Sequence, residues 1–229
     1  MTEARPVEQP EEFPSEHCEF ILRGPVGNLE CATDAPEKDE ERSATIIICH
    51  PLPTHGGSMH NKVVTIIERS MRELGCRTVR FNFRGVGDSE GTFDDGYGET
   101  DDLFAVVEWV RRTRPNDTLW LGGFSFGSYV VLRAALNLQL GQLITIAPPV
   151  ERYEFPNLGR PDCPWLVVQG DEDDLVSLDS VETWAQTQSP KPDVIVMDQT
   201  GHFFHRRLMD LRGVLKNGVR DQLPERNPS

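Results

Sequence analysis

From residue 44 onward, short apolar runs alternate with longer stretches in which apolar residues recur every three or four positions. Residues 44–49 (A-T-I-I-I-C) form a continuous β-branched run, which suits a strand covered on both faces. Residues 77–83, 118–123, 142–147, 165–169 and 193–197 also read as buried strands. Between them the spacing changes to the helical period. Over residues 60–74, Val63, Ile67, Met71 and Leu74 share one face and Gly75 ends the pattern. Residues 101–112 carry Leu103, Val106, Val107 and Val110 at helical spacing, with Pro115 closing the helix. Residues 129–138 place Val130, Val131, Ala134 and Leu138 on one side, and residues 178–186 and 203–215 complete the set. Strands alternating with helices predict the α/β class, with a mostly parallel, doubly wound central sheet and helices on both faces.

The first part of the chain reads differently. Residues 16–23 and 28–33 are modest strands joined through G-P-V-G, and they predict an antiparallel hairpin at the sheet edge. Residues 1–12 are acidic and proline-bearing and predict a disordered or loosely attached tail; residues 221–229 predict a second tail. Residues 13–220 remain for a single domain, long enough for a sizeable core.

Composition narrows the partners. The chain has 23 Lys and Arg against 37 Asp and Glu, a net charge of -14. Nucleic acid and anionic membranes both require a basic surface, so neither is expected as a partner. The five cysteines show no C-x-x-C spacing, and Cys49 and Cys76 lie in apolar runs, as expected of reduced thiols in a cytoplasmic protein. The first residues lack the basic and apolar regions of a secretory signal. No apolar stretch approaches the roughly 18 residues of a spanning helix. No zinc-ligand spacing and no phosphate-binding loop is present, so no metal and no cofactor is expected.

The candidate chemistry centres on residues 123–127, G-F-S-F-G. This spacing suits a strand that reverses sharply into a helix beginning at Phe126. The serine stands at the strained apex with its hydroxyl exposed, and its flanking residues are small because strand and helix pass close together. Ser125 is therefore the candidate nucleophile. It needs a base to take its proton, and the base needs a carboxylate to fix its tautomer. On a sheet of this kind the acid and then the histidine follow in chain order, each after a strand. The acid loop is G-D-E-D-D, residues 170–174. Asp173 is the preferred member, three residues past the glycine, with Asp171 and Asp174 as alternatives. Gly201-His202 follows the last strand, which makes His202 the candidate base.

An oxyanion hole needs two preorganised N–H donors. The N–H of Phe126 is one. The loop after the 44–49 strand reads H-P-L-P-T-H-G-G, and because Pro51 and Pro53 have no N–H, Leu52 is the natural second donor. His55, Phe93, Tyr97, Tyr153 and Phe155 are possible pocket residues. Asn61 and Lys62 sit close enough in sequence to hold the oxyanion loop. Residues 148–164 leave no room for a separate lid domain, so an open site for small or short-chain acyl groups is expected.

These segments together resemble the α/β-hydrolase fold family, and within it a small bacterial group of lidless enzymes related to dienelactone hydrolases. The matching stretches are residues 50–64, 80–91 (R-F-N-F-R-G-V-G-D-S-E-G), 123–127, 147–150 (A-P-P-V), 170–176 and 201–205 (G-H-F-F-H), within residues 20–215. The resemblance implies a Ser125–Asp173–His202 triad and hydrolysis of a carboxylic ester, a small-molecule acyl substrate, through an acyl-enzyme. Ser177 stands where family members usually carry proline, and Leu52 where they often carry a second histidine. Dienelactone hydrolases use a cysteine nucleophile, so serine here points to a different substrate. Thioester, peptide and carbon–carbon bond hydrolysis use the same triad and stay open, as does a non-catalytic binding role.

Overall fold

A computed structural model describes residues 7–153 and 155–227. In chain order the strands are β1 (Val7–Glu8), β2 (Cys18–Arg23), β3 (Asn28–Asp34), β4 (Ala44–Cys49), β5 (Arg77–Phe81), β6 (Thr118–Phe124), β7 (Gln142–Ile146), β8 (Trp165–Gly170) and β9 (Asp193–Met197). The α-helices are α1 (Lys62–Glu73), α2 (Tyr97–Thr113), α3 (Phe126–Ala135), α4 (Leu178–Thr187) and α5 (Leu208–Gly218). All nine described strands join one sheet in the order β1-β2-β3-β5-β4-β6-β7-β8-β9. The expected hairpin is the antiparallel pair β2–β3, and β3 also runs antiparallel to β5. From β5 to β9 every pairing is parallel.

The alternation of side chains along β4 shows how the sheet is buried. Ile47 and Cys49 join the core on one face with Val106 and Trp109 of α2, Val131 of α3 and Trp184 of α4. Ile46 and Ile48 join the core on the other face with Val63 and Ile67 of α1 and Leu211 of α5. Both sets are fully removed from water, which is why the run is continuously apolar. Truncating one of these side chains, such as Ile47→Ala, should cost about 2–5 kcal/mol.

Two helix starts lie several residues from the sequence reading, and the terminal segments also depart from it. Helix α2 begins at Tyr97 rather than near residue 101. The Glu99 carboxylate accepts hydrogen bonds from the N–H groups of Asp94 (2.9 Å) and Gly96 (2.8 Å), and the Asp94 carboxylate accepts from Gly98 N–H at 3.0 Å. These bonds start the helix inside the glycine-rich loop. Helix α5 begins at Leu208, not Phe203. Phe204 and Arg206 stand at φ 52° and 63°, left-handed conformations that interrupt a helix. The terminal segments are attached where they are described. Val7–Glu8 pairs in parallel with β2, and the Pro10 carbonyl accepts from Trp109 Nε1 at 3.0 Å. Near the other end Arg226 bridges to Arg42, and Asn227 N–H donates to the Glu41 carbonyl at 2.8 Å. Residues 1–6 of the expected tail lie outside the described residues.

In a parallel sheet, the loops that leave the carboxyl ends of the strands share one edge. The loops after β4, β6, β8 and β9 therefore meet, and they carry Leu52, Ser125, Asp173 and His202.

Candidate active site

Ser125 links β6 to α3 with φ 52° and ψ −118°, a conformation costly for a residue with a side chain. Its N–H donates to the Ile146 carbonyl at 2.8 Å, tying the apex to β7. The tightness of the turn explains the two glycines. A Cβ at Gly123 would lie 2.3 Å from the Gly127 carbonyl oxygen, and one at Gly127 would lie 2.3 Å from that of Cys49. Ser128 Oγ reinforces the turn by donating to the Gly123 carbonyl at 2.9 Å.

The Ser125 hydroxyl stands 3.0 Å from His202 Nε2. On the other side of the ring, His202 Nδ1 is 2.8 Å from Asp173 Oδ2. A carboxylate at Nδ1 fixes the proton there and leaves Nε2 as the acceptor for the serine hydroxyl. The other acids of the loop do not approach His202: the Asp171 carboxylate accepts from Thr200 N–H at 3.1 Å, and Asp174 is exposed. The Asp173 carboxylate is fully buried and His202 is 3% exposed. Burial alone would raise the Asp173 pKa. The hydrogen bond and charge of His202, with the N–H groups of Val176 (2.8 Å) and Leu175 (2.9 Å), outweigh burial and hold the carboxyl below its ordinary range. Gln169, a residue the sequence reading passed over, also supports this group. Its Nε2 donates to Asp173 Oδ2 at 3.0 Å and to the Val176 carbonyl at 2.9 Å. The signal was a lone amide closing an otherwise apolar strand, W-L-V-V-Q-G.

The loop after β4 is fixed from inside. His50 is completely buried; its Nδ1 lies 2.7 Å from the Pro51 carbonyl, and its Nε2 accepts the Phe83 N–H at 3.1 Å. The ring must be the neutral Nδ1–H tautomer to satisfy both partners. Burial, opposed in part by the Pro51 carbonyl, brings its pKa down to about 4. The Leu52 carbonyl accepts the N–H groups of His55 and Gly57, each at 3.1 Å, closing the turn. Because the Pro51–Leu52 peptide is planar and trans, holding its carbonyl against His50 turns the Leu52 N–H to the opposite side. Phe126 is the first residue of α3, where backbone N–H groups have no partner within the helix.

Ser125, His202, Leu52 and Phe126 line one cavity of about 290 Å³, with Pro51, Gly56, Gly57, Pro149, Leu175, Val176 and Phe203 among its walls. Of the five pocket candidates, His55 and Tyr153 line it. The other three pack loops onto the body. Phe93 lies against Phe126 at 5.5 Å, Phe155 is fully buried between Trp184 and Tyr129, and Tyr97 lies under the Arg133 guanidinium at 4.2 Å. Asn61 lines the cavity and caps α1, its Oδ1 accepting from Val63 N–H at 2.9 Å. Lys62 begins that helix and is exposed. Arg152 also lines the cavity and was not anticipated. Residues 147–164, where this architecture could insert a lid, hold only a short 3-10 turn among the described residues. Among those residues there is no group of three or more His, Cys, Asp and Glu side chains able to hold a metal. No helix of the described residues is long and apolar enough to cross a membrane.

Comparison with known proteins agrees with this fold. The family model for the alpha/beta hydrolase fold matches residues 44–151. XC6422 from Xanthomonas campestris, described as an α/β serine hydrolase without lid, superposes with a TM-score of 0.91 at 54% identity, covering 96% of this chain and 100% of that one. An alpha-beta serine hydrolase homologue from Coxiella burnetii gives a TM-score of 0.88 at 45% identity, covering 91% of this chain and 100% of the other. An uncharacterized protein of Rickettsia prowazekii is 32% identical over 197 residues, 81% of this chain and 82% of its own length. With the strand order, the strained serine turn and these full-length relatives in agreement, the chain belongs to the α/β-hydrolase family.

Proposed function

We propose that the protein is a serine hydrolase of carboxylic esters, acting on small or short-chain acyl groups through an acyl-enzyme. The observation that carries this reading is the hydrogen-bonded series Ser125 Oγ, His202 Nε2, His202 Nδ1, Asp173 Oδ2, with steps of 3.0 and 2.8 Å. Ser125 Oγ attacks the ester carbonyl as His202 Nε2 removes its proton. The carbonyl oxygen becomes an oxyanion held by the N–H groups of Leu52 and Phe126. The carbon–alkoxide bond then breaks, and His202 gives the proton to the departing alcohol. Water, deprotonated by His202, attacks the acyl-enzyme; the acid leaves and Ser125 recovers its proton. Asp173 stays ionised throughout, holding the ring tautomer and stabilising the imidazolium. No cofactor takes part. The cavity of about 290 Å³ lies at the small end of ligand sites, and among the described residues no lid domain covers it, which favours short acyl chains. The partner is a small-molecule acyl ester rather than nucleic acid or a membrane, and the net charge of -14 and five free cysteines fit a cytoplasmic setting.

The test is hydrolysis of a p-nitrophenyl ester series from acetate to palmitate. kcat/KM is expected to peak at acetate to hexanoate and to vanish in Ser125→Ala. A peak at long chains would contradict the open, small site. Full activity in Ser125→Ala would remove the serine mechanism. Parallel thioester and peptide substrates decide which acyl bond is preferred.

A further inference from the structure

Among the described residues, the cavity's lining carries a guanidinium, Arg152, and no carboxylate. Its polar side chains come from His55, Asn61, Ser125, Arg152, Tyr153 and His202, and no aspartate or glutamate among the described residues lines it. That is unexpected in a chain with 37 acids. The Asp173 carboxylate lies behind His202 and is fully buried. Asn61 uses its Oδ1 on the Val63 N–H, which leaves its NH2 as the edge offered to the cavity.

Arg152 is delivered to this rim by an anchored backbone. Its N–H donates to the Pro149 carbonyl at 2.9 Å. The carboxylate of the preceding Glu151 accepts from Ser180 Oγ at 2.6 Å and is tied to α4. The following Tyr153 stands at φ 59°, its ring stacked on Tyr129 at 4.8 Å and edge-on to Phe126 at 5.4 Å. Nine described arginines are paired with carboxylates, Arg69, Arg72, Arg77, Arg80, Arg84, Arg114, Arg207, Arg212 and Arg226, whereas others, such as Arg23, Arg111 and Arg206, are not and do not line the cavity. Among the described residues Arg152 enters no such pair. A guanidinium is built to grip a carboxylate with two parallel hydrogen bonds. The same cavity has apolar walls, among them Leu175, Val176 and Pro149, suited to a short methylene chain.

We propose that the preferred substrates are esters carrying a second, ionised carboxylate, as in half-esters of short dicarboxylic acids, and that Arg152 grips that carboxylate. This rests on the serine hydrolase reading above. Two matched pairs test it by pH-stat: monomethyl glutarate against methyl pentanoate, and 3-acetoxypropanoate against propyl acetate. In each pair a carboxylate replaces a terminal methyl. For at least one pair the wild-type ratio of kcat/KM, anionic over neutral, is expected above one. Arg152→Gln should lower that ratio about fivefold, mainly through KM, and Arg152→Lys should restore most of it. Added salt should also lower it. Fluorophosphonate labelling of Ser125 separates the two levels. If Ser125 takes the probe but both ratios lie at or below one, or Arg152→Gln leaves them unchanged, the carboxylate inference is overturned and the serine hydrolase reading stands. If Ser125 takes no probe and no ester is hydrolysed, the hydrolase reading fails and this one with it.

Discussion

Two regions face each other across the cavity and are built in opposite ways. On one side, the loops after β6, β8 and β9 bring Ser125, Asp173 and His202 together in one hydrogen-bonded series. Asp173 alone receives Gln169, Leu175, Val176 and His202. On the other side, the connection between β7 and β8 is exposed at Glu151, Arg152 and Tyr153 and is held by hydrogen bonds of Arg152 N–H to Pro149 and of Ser180 to Glu151, with Tyr153 packing on Tyr129 and Phe126. The contrast separates two tasks. In the proposed reaction the buried side would fix the reacting atoms in a low-dielectric setting where misplacement is costly, and the exposed side would sort substrates. Changes on the first side should appear in kcat and on the second in KM.

Ser125→Ala gives the largest expected effect, a fall in kcat of roughly 10⁴–10⁶, the scale found for serine hydrolase triads. Asp173→Asn comes next, about 10⁴ in kcat with the fold intact, because the amide favours the wrong tautomer of His202. Thermal melting alongside the assay checks that the loss is chemical. An effect in KM alone from either variant would break the division between the two sides.

His50 sharpens the comparison through pH. Its pKa of about 4 lies below the free imidazole value of about 6.5. Between those values the unfolded chain binds a proton that the folded chain refuses, so stability from this group is complete above about pH 6.5 and is lost as the pH falls toward 4. The loss reaches about 3 kcal/mol at the lower limit. His50→Gln, which cannot titrate, should show a shallower decline in urea midpoint from pH 7 to pH 4.5 and a lower kcat at pH 7, since the Pro51–Leu52 peptide loses its anchor. Equal slopes in variant and wild type would contradict the neutral, buried ring.

The smallest effect is expected from Tyr153→Ala on the exposed side, a rise in KM of a few fold with kcat nearly kept, read from the same ester series. The ring stacks on Tyr129 and borders the cavity, yet it is 36% exposed, so little packing is lost.

The same division decided what could be read from sequence. Ser125, Asp173 and His202 each sit in a short motif at a strand end, where local spacing carries the constraint. The β4 run was legible for a similar reason: burial on both faces leaves a continuous apolar stretch. The start of α2 was hidden because its capping acids, Asp94 and Glu99, lie among glycines that read as loop. Phe203 and Phe204 fit a helical apolar pattern, but Phe204 takes a left-handed turn that no periodicity reveals. Phe155 looked like any loop aromatic, and only tertiary packing on Trp184 buries it. Arg152 carries no local signal at all. Its significance depends on which acids stay away from it, and that is a property of the folded surface.

The central claim is that His202, oriented by Asp173, activates Ser125. Labelling with a fluorophosphonate probe followed by mass mapping of the adduct tests it most directly. The account predicts one adduct on Ser125, formed rapidly in the wild type and slowed by at least about 10³ in His202→Ala. An adduct elsewhere, or equal labelling rates in the two proteins, would contradict it.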